Sequence, residues 1–286
     1  MSKLVYVTGA GRGIGRQIAI DLVASGYTVT GCARTAAELE ETKKLAGGKL
    51  HTALVDVTNG GAIDAWLTSA ASATGATPWG LVTAAGVYGP IGRFFDNAWD
   101  EWKKGIEINL YGTVLACRGF AKMLVGAKTP GRIVLLSGGG ATQPLPRFTN
   151  YCASKAAVVR FGETIAHELA ADGITVNAVA PGAVNTQLTD ELLAAGPERA
   201  GADMYAKAQK QKESGGTSPT KGAELTKFLL SEEAAGITGR LLSAVWDPWA
   251  DLPKAREPLA ASDIYTLRRI VPEDRPKVPF DEKLKG

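Results

Sequence analysis

Histidine and cysteine are scarce: two of one and three of the other in 286 residues. His51 and His167 belong to no HExxH or paired-ligand pattern, so no metal site is expected. Cys32, Cys117 and Cys152 stand far apart and outside any CxxC spacing, which argues against a disulfide framework and fits buried apolar thiols in a reducing compartment. No run of about 18 apolar residues occurs, so no membrane span is expected. The net charge of +3 is spread without a Lys/Arg block, which argues against nucleic acid as a partner. Met1 to Val7 lead straight into strand-like sequence, with neither the apolar segment of a signal peptide nor the Arg-rich look of a transit peptide. A cytoplasmic location is the expectation. What remains is ordinary globular composition, 45% hydrophobic and 21% charged, with one core as the expected organisation.

Apolar, β-branched runs recur between helical stretches at Leu4–Val7, Tyr27–Ala33, Leu50–Asp56, Gly80–Ala85, Arg132–Ser137, Ile174–Ala180 and Arg240–Trp246. Strands alternating with helices predict an α/β, doubly wound, Rossmann-like sheet of seven parallel strands, because each parallel step needs a crossover helix. Ile14, Ile18, Leu22 and Val23 give the first helix an apolar face that stops near Gly26. Thr35-Ala36-Ala37-Glu38 has the spacing of a capping box, opening a second helix that ends at Gly47-Gly48. Longer helical stretches run from about Asn97 to Gly126 and from Tyr151 to Ala171. Between Thr186 and Pro219 strict alternation fails, and Gly196-Pro197 and Ser214 to Pro219 read as hinges of a lid spanning 187–219. Residues 1–246 are expected to form the catalytic domain, lid included. Residues 247–286 hold six of the fourteen prolines and are expected to be an extended surface tail, partly disordered, or an arm on a neighbouring subunit.

Two motifs carry chemistry. Thr8-Gly9-Ala10-Gly11-Arg12-Gly13-Ile14-Gly15 follows a strand and opens a helix, where backbone N–H groups and a helix N-terminus can hold a pyrophosphate. Its spacing is not GxGxxG, since position 14 is Ile. No Asp or Glu lies between Asp21 and Glu38 to meet a ribose 2′-hydroxyl; instead Arg34 ends the second strand and Arg12 lies in the loop. Two guanidinium groups suit a 2′-phosphate, so NADP(H) is expected over NAD(H). The second motif is Tyr151 with Lys155 in Asn150-Tyr151-Cys152-Ala153-Ser154-Lys155. Four residues apart on a helix, phenol and ammonium share a face, and the cation is expected to bring the phenol pKa down towards working pH as a general acid/base.

Taken with Asn109 in Ile108-Asn109-Leu110-Tyr111-Gly112 and with Pro181-Gly182-Ala183-Val184-Asn185-Thr186, these motifs resemble the ordered motifs of the short-chain dehydrogenase/reductases over roughly residues 3–246. The resemblance implies Tyr151 as proton donor or acceptor. It implies Lys155 as the residue that lowers its pKa and holds the nicotinamide ribose, and Asn109 as the support of a water bridge from Lys155 to solvent. It implies Asp56 and Val57 at the adenine and Gly86 beside the adenine ribose, with Pro181, Gly182, Val184 and Thr186 at the nicotinamide half. Gly9, Arg12, Gly13, Ile14 and Gly15 would cradle the phosphates. Homodimers or homotetramers are implied through the two long helical stretches.

The chain departs from the family pattern in three places. The serine of relatives, thirteen residues before the tyrosine, is here Gly138. Ser137, one residue earlier, is the expected catalytic serine: a bulge among Gly138, Gly139 and Gly140 could turn its hydroxyl to the substrate, whereas an unbulged strand points it elsewhere. Otherwise Tyr151 and backbone N–H groups hold the substrate oxygen alone. Thr83-Ala84-Ala85-Gly86 stands where relatives have Asn-Asn-Ala-Gly, removing amide hydrogen bonds that brace the central strand. After Gly239-Arg240 the chain reads Ala244-Val245-Trp246-Asp247-Pro248-Trp249, with Trp246 and Trp249 expected to pack or to lie in an interface. Trp99 and Trp102, after Phe94 and Phe95, are read the same way. Arg147 borders the pocket, either solvated or paired with an anionic substrate group. The expected function is hydride transfer between NADP(H) and a small carbonyl or secondary alcohol. A catalytically silent dinucleotide-binding regulator and an epimerase or dehydratase on the same scaffold are the rivals.

Overall fold

The apolar runs become seven strands: β1 (Lys3–Thr8), β2 (Thr28–Ala33), β3 (His51–Leu54), β4 (Thr77–Thr83), β5 (Gly131–Leu136), β6 (Ile174–Ala180) and β7 (Arg240–Ser243). Residues 2–271 and 274 are described, in a computed structural model. All strand pairs are parallel and the sheet order is β3-β2-β1-β4-β5-β6-β7. The doubly wound sheet expected from alternation is therefore present. Between them run α1 (Gly13–Ala24), α2 (Ala36–Leu45), α3 (Gly60–Thr74), α4 (Trp99–Ile106), α5 (Gly112–Ala127), α6 (Thr149–Glu168), α7 (Gln187–Ala200), α8 (Ala202–Glu213), α9 (Pro219–Leu230) and α10 (Arg256–Ala260). Parallel strands buried on both faces read as unbroken apolar runs, and their side chains split by parity. Val5, Val7, Val134 and Leu136 meet α1, α2 and α9. Leu4, Tyr6, Ile133 and Leu135 meet α3, α5 and α6.

Strand order reverses between β1 and β4, so the loops leaving their carboxyl ends diverge and open a crevice. Those loops touch: a Cβ on Gly9, which has φ +66°, would lie 2.7 Å from Ala85 Cα. Only glycine fits that approach and that dihedral. Ala85 N–H donates to Thr8 Oγ1 (3.3 Å). The Thr83 hydroxyl is buried with no partner, in keeping with the loss of bracing expected where relatives carry asparagines.

The capping box is a correction. Thr35 is the N-cap of α2, but its side chain makes no cap hydrogen bond. Glu38 turns away and pairs with Arg12 at 3.2 Å. The long helical stretch after β4 is helix in three parts, since residues Glu107–Tyr111 between α4 and α5 form a π-turn. The lid is a pair of helices, α7 and α8, with Gly196 (φ 74°, ψ 167°) breaking α7 just before Pro197. Leu192, Ala200 and Ala208 of the lid join Ile91 and Phe148 in a small separate apolar cluster.

The proline-rich extension, where described, packs on its own chain and is not a free tail. Trp249 packs on Phe228 (centroids 5.4 Å apart), while Leu252 and Leu259 enter the core. Trp246 is exposed. Buried Arg240 donates to the carbonyls of Leu259 (2.6 Å), Ser262 (2.8 Å) and Ile264 (2.7 Å). Leu241 N–H donates to Tyr265 O (2.8 Å), so the extension occupies the open edge of β7, which would otherwise be a template for further pairing. The part of the expected tail at 272, 273 and 275–286 lies outside the described residues. Among the described residues no helix is long and apolar enough to cross a membrane.

Arg240→Ala leaves three carbonyls without their donor. A loss of about 2 kcal/mol or more is expected, a fall of roughly 4–8 °C in Tm. Arg268→Ala, which removes solvent-accessible ion pairs with Asp263 and Asp274 and one hydrogen bond to Arg269 O, leaves Tm within about 1 °C. Thermal unfolding followed by circular dichroism reads both.

Candidate active site

The glycine loop enters α1 without a side-chain cap. The first-turn N–H groups at Gly13, Ile14 and Gly15 therefore face whatever fills the crevice, and anions suit a helix N-terminus. Gly15 cannot carry a side chain, because its Cβ would collide with Gly9 O; Gly13 has φ +56° and faces Thr186. A single cleft is lined by Gly9, Arg12, Gly13, Ile14, Gly15, Arg34, Asp56, Val57, Gly86 and Thr186. Ten of the residues expected at a cofactor thus converge, and the cradle fits a dinucleotide's phosphates by its shape and its free donors.

Pro181, Gly182 and Val184 lie beyond that cleft. Pro181 abuts Gly222 next to Ile14, Gly182 faces Val245 and Thr217, and Val184 bridges to Gly216 and Thr217. At the adenosine end the cations are not equivalent. Arg12 is held by Glu38, whereas Arg34 has no ion pair with a described residue. Burial alone would raise the Asp56 carboxyl, but the Thr58 N–H (3.0 Å) and hydroxyl (2.8 Å), with Arg34 and Lys104 nearby, hold it below the usual range. Glu38 also lines the cleft. Read only as a cap, it escaped notice as a site residue; its signal was the presence of Arg12 one turn-to-helix contact away.

Asn109 sits fully buried on the π-turn, a helical irregularity common at functional sites. Its Nδ2 donates to Val87 O (2.9 Å) and Ser154 Oγ (2.9 Å), and its Oδ1 accepts from Val87 N–H (2.8 Å). The amide ties the loop after β4 to α6. Gly86 is the wall between cleft and helix: a Cβ there would stand 3.3 Å from Asn109 Oδ1 and 3.4 Å from Lys155 Nζ.

Lys155 is buried and donates to Leu136 O (2.8 Å); burial pulls its pKa down to about 8. Its Nζ lies 5.9 Å from the centroid of the Tyr151 ring. The expected lowering of the tyrosine pKa is not seen. Burial first, then nearby Tyr88 and Cys152, push the phenol well above its ordinary value. Desolvation outweighs the neighbouring cation, which is itself weakened by the same burial.

Gly138 is extended (φ 176°, ψ 175°), and a Cβ there would collide with Tyr151 Oη. The bulge that would have turned Ser137 is absent: Ser137 N–H continues the ladder to Val179 O (2.8 Å), and its hydroxyl donates to Lys155 O (3.4 Å). Arg147, in the left-handed region (φ 78°), donates to Glu198 O (3.2 Å) of the lid. Tyr88, which no motif marked, lies edge-on to Tyr151 with centroids 5.0 Å apart.

A family model for short chain dehydrogenases matches residues 3–196, and the chain belongs to the short-chain dehydrogenase/reductase family of oxidoreductases. Among curated relatives, the probable oxidoreductase EphD of Mycobacterium tuberculosis is 34% identical over 188 residues, 65% of this chain; the match spans only 31% of that longer protein. The 3beta-hydroxysteroid dehydrogenase 1 of Eggerthella lenta is 32% identical over 254 residues, covering 84% of this chain and 91% of the relative. A solved single-residue variant of actinorhodin polyketide ketoreductase with NADPH superposes with a TM-score of 0.75 at 31% identity, over 85% of this chain and 95% of its own.

The depressed lysine makes a stability prediction. Between pH 8 and about 10.5 the unfolded chain keeps the Lys155 proton and the folded chain does not, so stability rises with pH across that window. Below pH 8 the cost of burying the cation is fully present. Chemical denaturation of wild type and Lys155→Met is expected to show wild type gaining relative to the variant as pH rises from 8 towards 10.5; a constant difference would contradict a depressed lysine.

Proposed function

We propose that this chain interconverts a carbonyl and a secondary alcohol with NADP(H), with Tyr151 as the general acid/base. One observation carries the reading: the glycine-loop cleft and the buried Asn109–Lys155 pair meet on the two sides of Gly86, next to Tyr151. NADPH, when bound, supplies the hydride. Gly13, Ile14 and Gly15 bind its pyrophosphate, and Asp56 and Val57 its adenine. Arg34, in no ion pair with a described residue, meets the 2′-phosphate, while Glu38 orients Arg12 rather than leaving it to move. Lys155 and Tyr151 take the nicotinamide ribose, and Pro181, Gly182, Val184 and Thr186 enclose the nicotinamide.

A phenol whose pKa is raised stays protonated at neutral pH. Tyr151 is then a donor to an oxygen that gains charge as its carbon is reduced, and a developing alkoxide is basic enough to take that proton. The protonated phenol is the form that the reductive direction of the reaction requires. Phe148, Leu145, Leu192 and Met204 gather around Tyr151, so an apolar carbonyl compound suits the site better than a sugar. Lid helices that pack on this cluster exclude water from it. A homo-oligomer is supported by the exposed aromatic face of Phe94, Phe95, Trp99 and Tyr111. NAD(H) is the second reading, because Glu38 lines the adenosine end of the cleft.

Fluorescence titration and absorbance at 340 nm separate these readings. Arg34→Asp is expected to raise the NADPH Kd at least about tenfold and the NADH Kd less than about twofold. An unchanged NADPH Kd would remove the 2′-phosphate assignment. Tyr151→Phe should abolish NADPH oxidation by cyclic ketones such as 1-decalone while leaving NADPH affinity near wild type.

A further inference from the structure

Reduction moves the carbonyl π pair onto oxygen, which can accept more than one hydrogen bond as its charge grows. One donor is Tyr151. A second, aimed at the same oxygen in a water-poor site, is worth a large part of the rate. Position 138 has no side chain, and the volume a side chain would fill is taken by Tyr151 Oη itself. Ser137 spends its hydroxyl on Lys155 O. The site as described thus lacks a serine donor.

Tyr88 stands in the right place. Its ring is edge-on to Tyr151 (5.0 Å, 74°) and to Phe148 (5.1 Å, 65°), wedged between them under the lid. The preceding residue, Val87, is gripped on both N–H and C=O by Asn109, so the backbone that aims Tyr88 is fixed by the same amide that braces α6. Among the described residues neither the Tyr88 nor the Tyr151 hydroxyl bonds to a protein atom, and neither is a sealed, orphaned group. Two neighbouring phenols with hydroxyls unspent on described protein atoms can serve as a pair of donors for one oxygen. Burial first, then Glu191 of the lid, raises the Tyr88 phenol, and Tyr88 in turn raises Tyr151; both therefore stay protonated at neutral pH.

We propose that the Tyr88 hydroxyl is the second hydrogen-bond donor to the substrate oxygen, filling the role that glycine at position 138 leaves vacant. This rests on the carbonyl-reduction reading above. Hydride adds to the carbonyl carbon, the π pair moves to oxygen, and the Tyr151 proton transfers to that oxygen. Tyr88 keeps its proton and donates throughout, so it leaves the step unchanged.

Tyr88→Phe keeps the ring and removes only the donor. With the 286-residue protein, NADPH oxidation by 1-decalone is followed at 340 nm for wild type, Tyr88→Phe and Tyr151→Phe, with NADPH affinity read by fluorescence. The expected result is a kcat lower by about 10²-fold in Tyr88→Phe, with KM and NADPH Kd within about twofold of wild type, and no turnover in Tyr151→Phe. A kcat within about threefold of wild type in Tyr88→Phe, with Tyr151→Phe inactive, overturns the role of Tyr88 and leaves the reading of the site standing. A loss confined to KM or to NADPH affinity overturns it as well, because packing alone would then account for Tyr88. Turnover in Tyr151→Phe, or none in wild type, overturns the carbonyl-reduction reading and this inference with it.

Discussion

The buried amide of Asn109 is the constraint on which the site depends. A primary amide removed from water must have its donors and acceptor matched, and here they are matched from two other parts of the chain. Val87 gives a carbonyl and an N–H from the loop after β4, Ser154 gives a hydroxyl from α6, and the amide itself hangs on the π-turn between α4 and α5. Each partner fixes something with a chemical use. The loop carries Gly86 at the cleft wall and Tyr88 at the reaction space. The helix carries Tyr151 one turn before Ser154 and Lys155 one residue after it. A networked polar group of this kind is costly when partly satisfied and rigid when fully so, which makes the amide a better guarantor of geometry than the apolar packing around it.

Burial then decides the electrostatics. An exposed phenol beside an ammonium would be acidified, yet here the same enclosure that brings the two together desolvates both. The neutral forms of Tyr151 and Lys155 gain, and the attraction between their charged forms is overruled. The consequence is a phenol that keeps its proton at neutral pH rather than a standing phenolate, with the lysine spending its hydrogen bond on Leu136 O.

Much of this was legible in the sequence, and the failures share a cause. Ile174–Ala180 is a strand with the bounds its apolar run suggests, because a fully buried parallel strand writes its length in β-branched residues. The Rossmann-like winding and the convergence of ten residues on one cleft follow from spacing that the backbone obeys locally. Glu38 was misread because a capping box and a salt bridge across the glycine loop require the same residue, and only the fold reveals that Arg12 is within reach. Tyr88 was invisible because its meaning comes from Asn109, twenty-one residues away. The extension looked like a tail because its prolines suppress periodicity. Its anchors are backbone carbonyls gathered by Arg240, and carbonyls leave no trace in a sequence. Ser137 was expected to reach the substrate through a bulge, but the ladder to Val179 runs through without one and its hydroxyl is spent on Lys155 O.

The central claim is that a hydride passes from NADPH to a carbonyl carbon beside Tyr151. Its most direct test is to incubate the enzyme with a ketone and NADPH deuterated at either face of nicotinamide C4, and to locate the label in the product by mass spectrometry and NMR. One of the two labelled cofactors should place a single deuterium on the new carbinol carbon for each NADPH consumed. Product lacking deuterium with both cofactors, or product formed without NADPH consumption, would contradict the account.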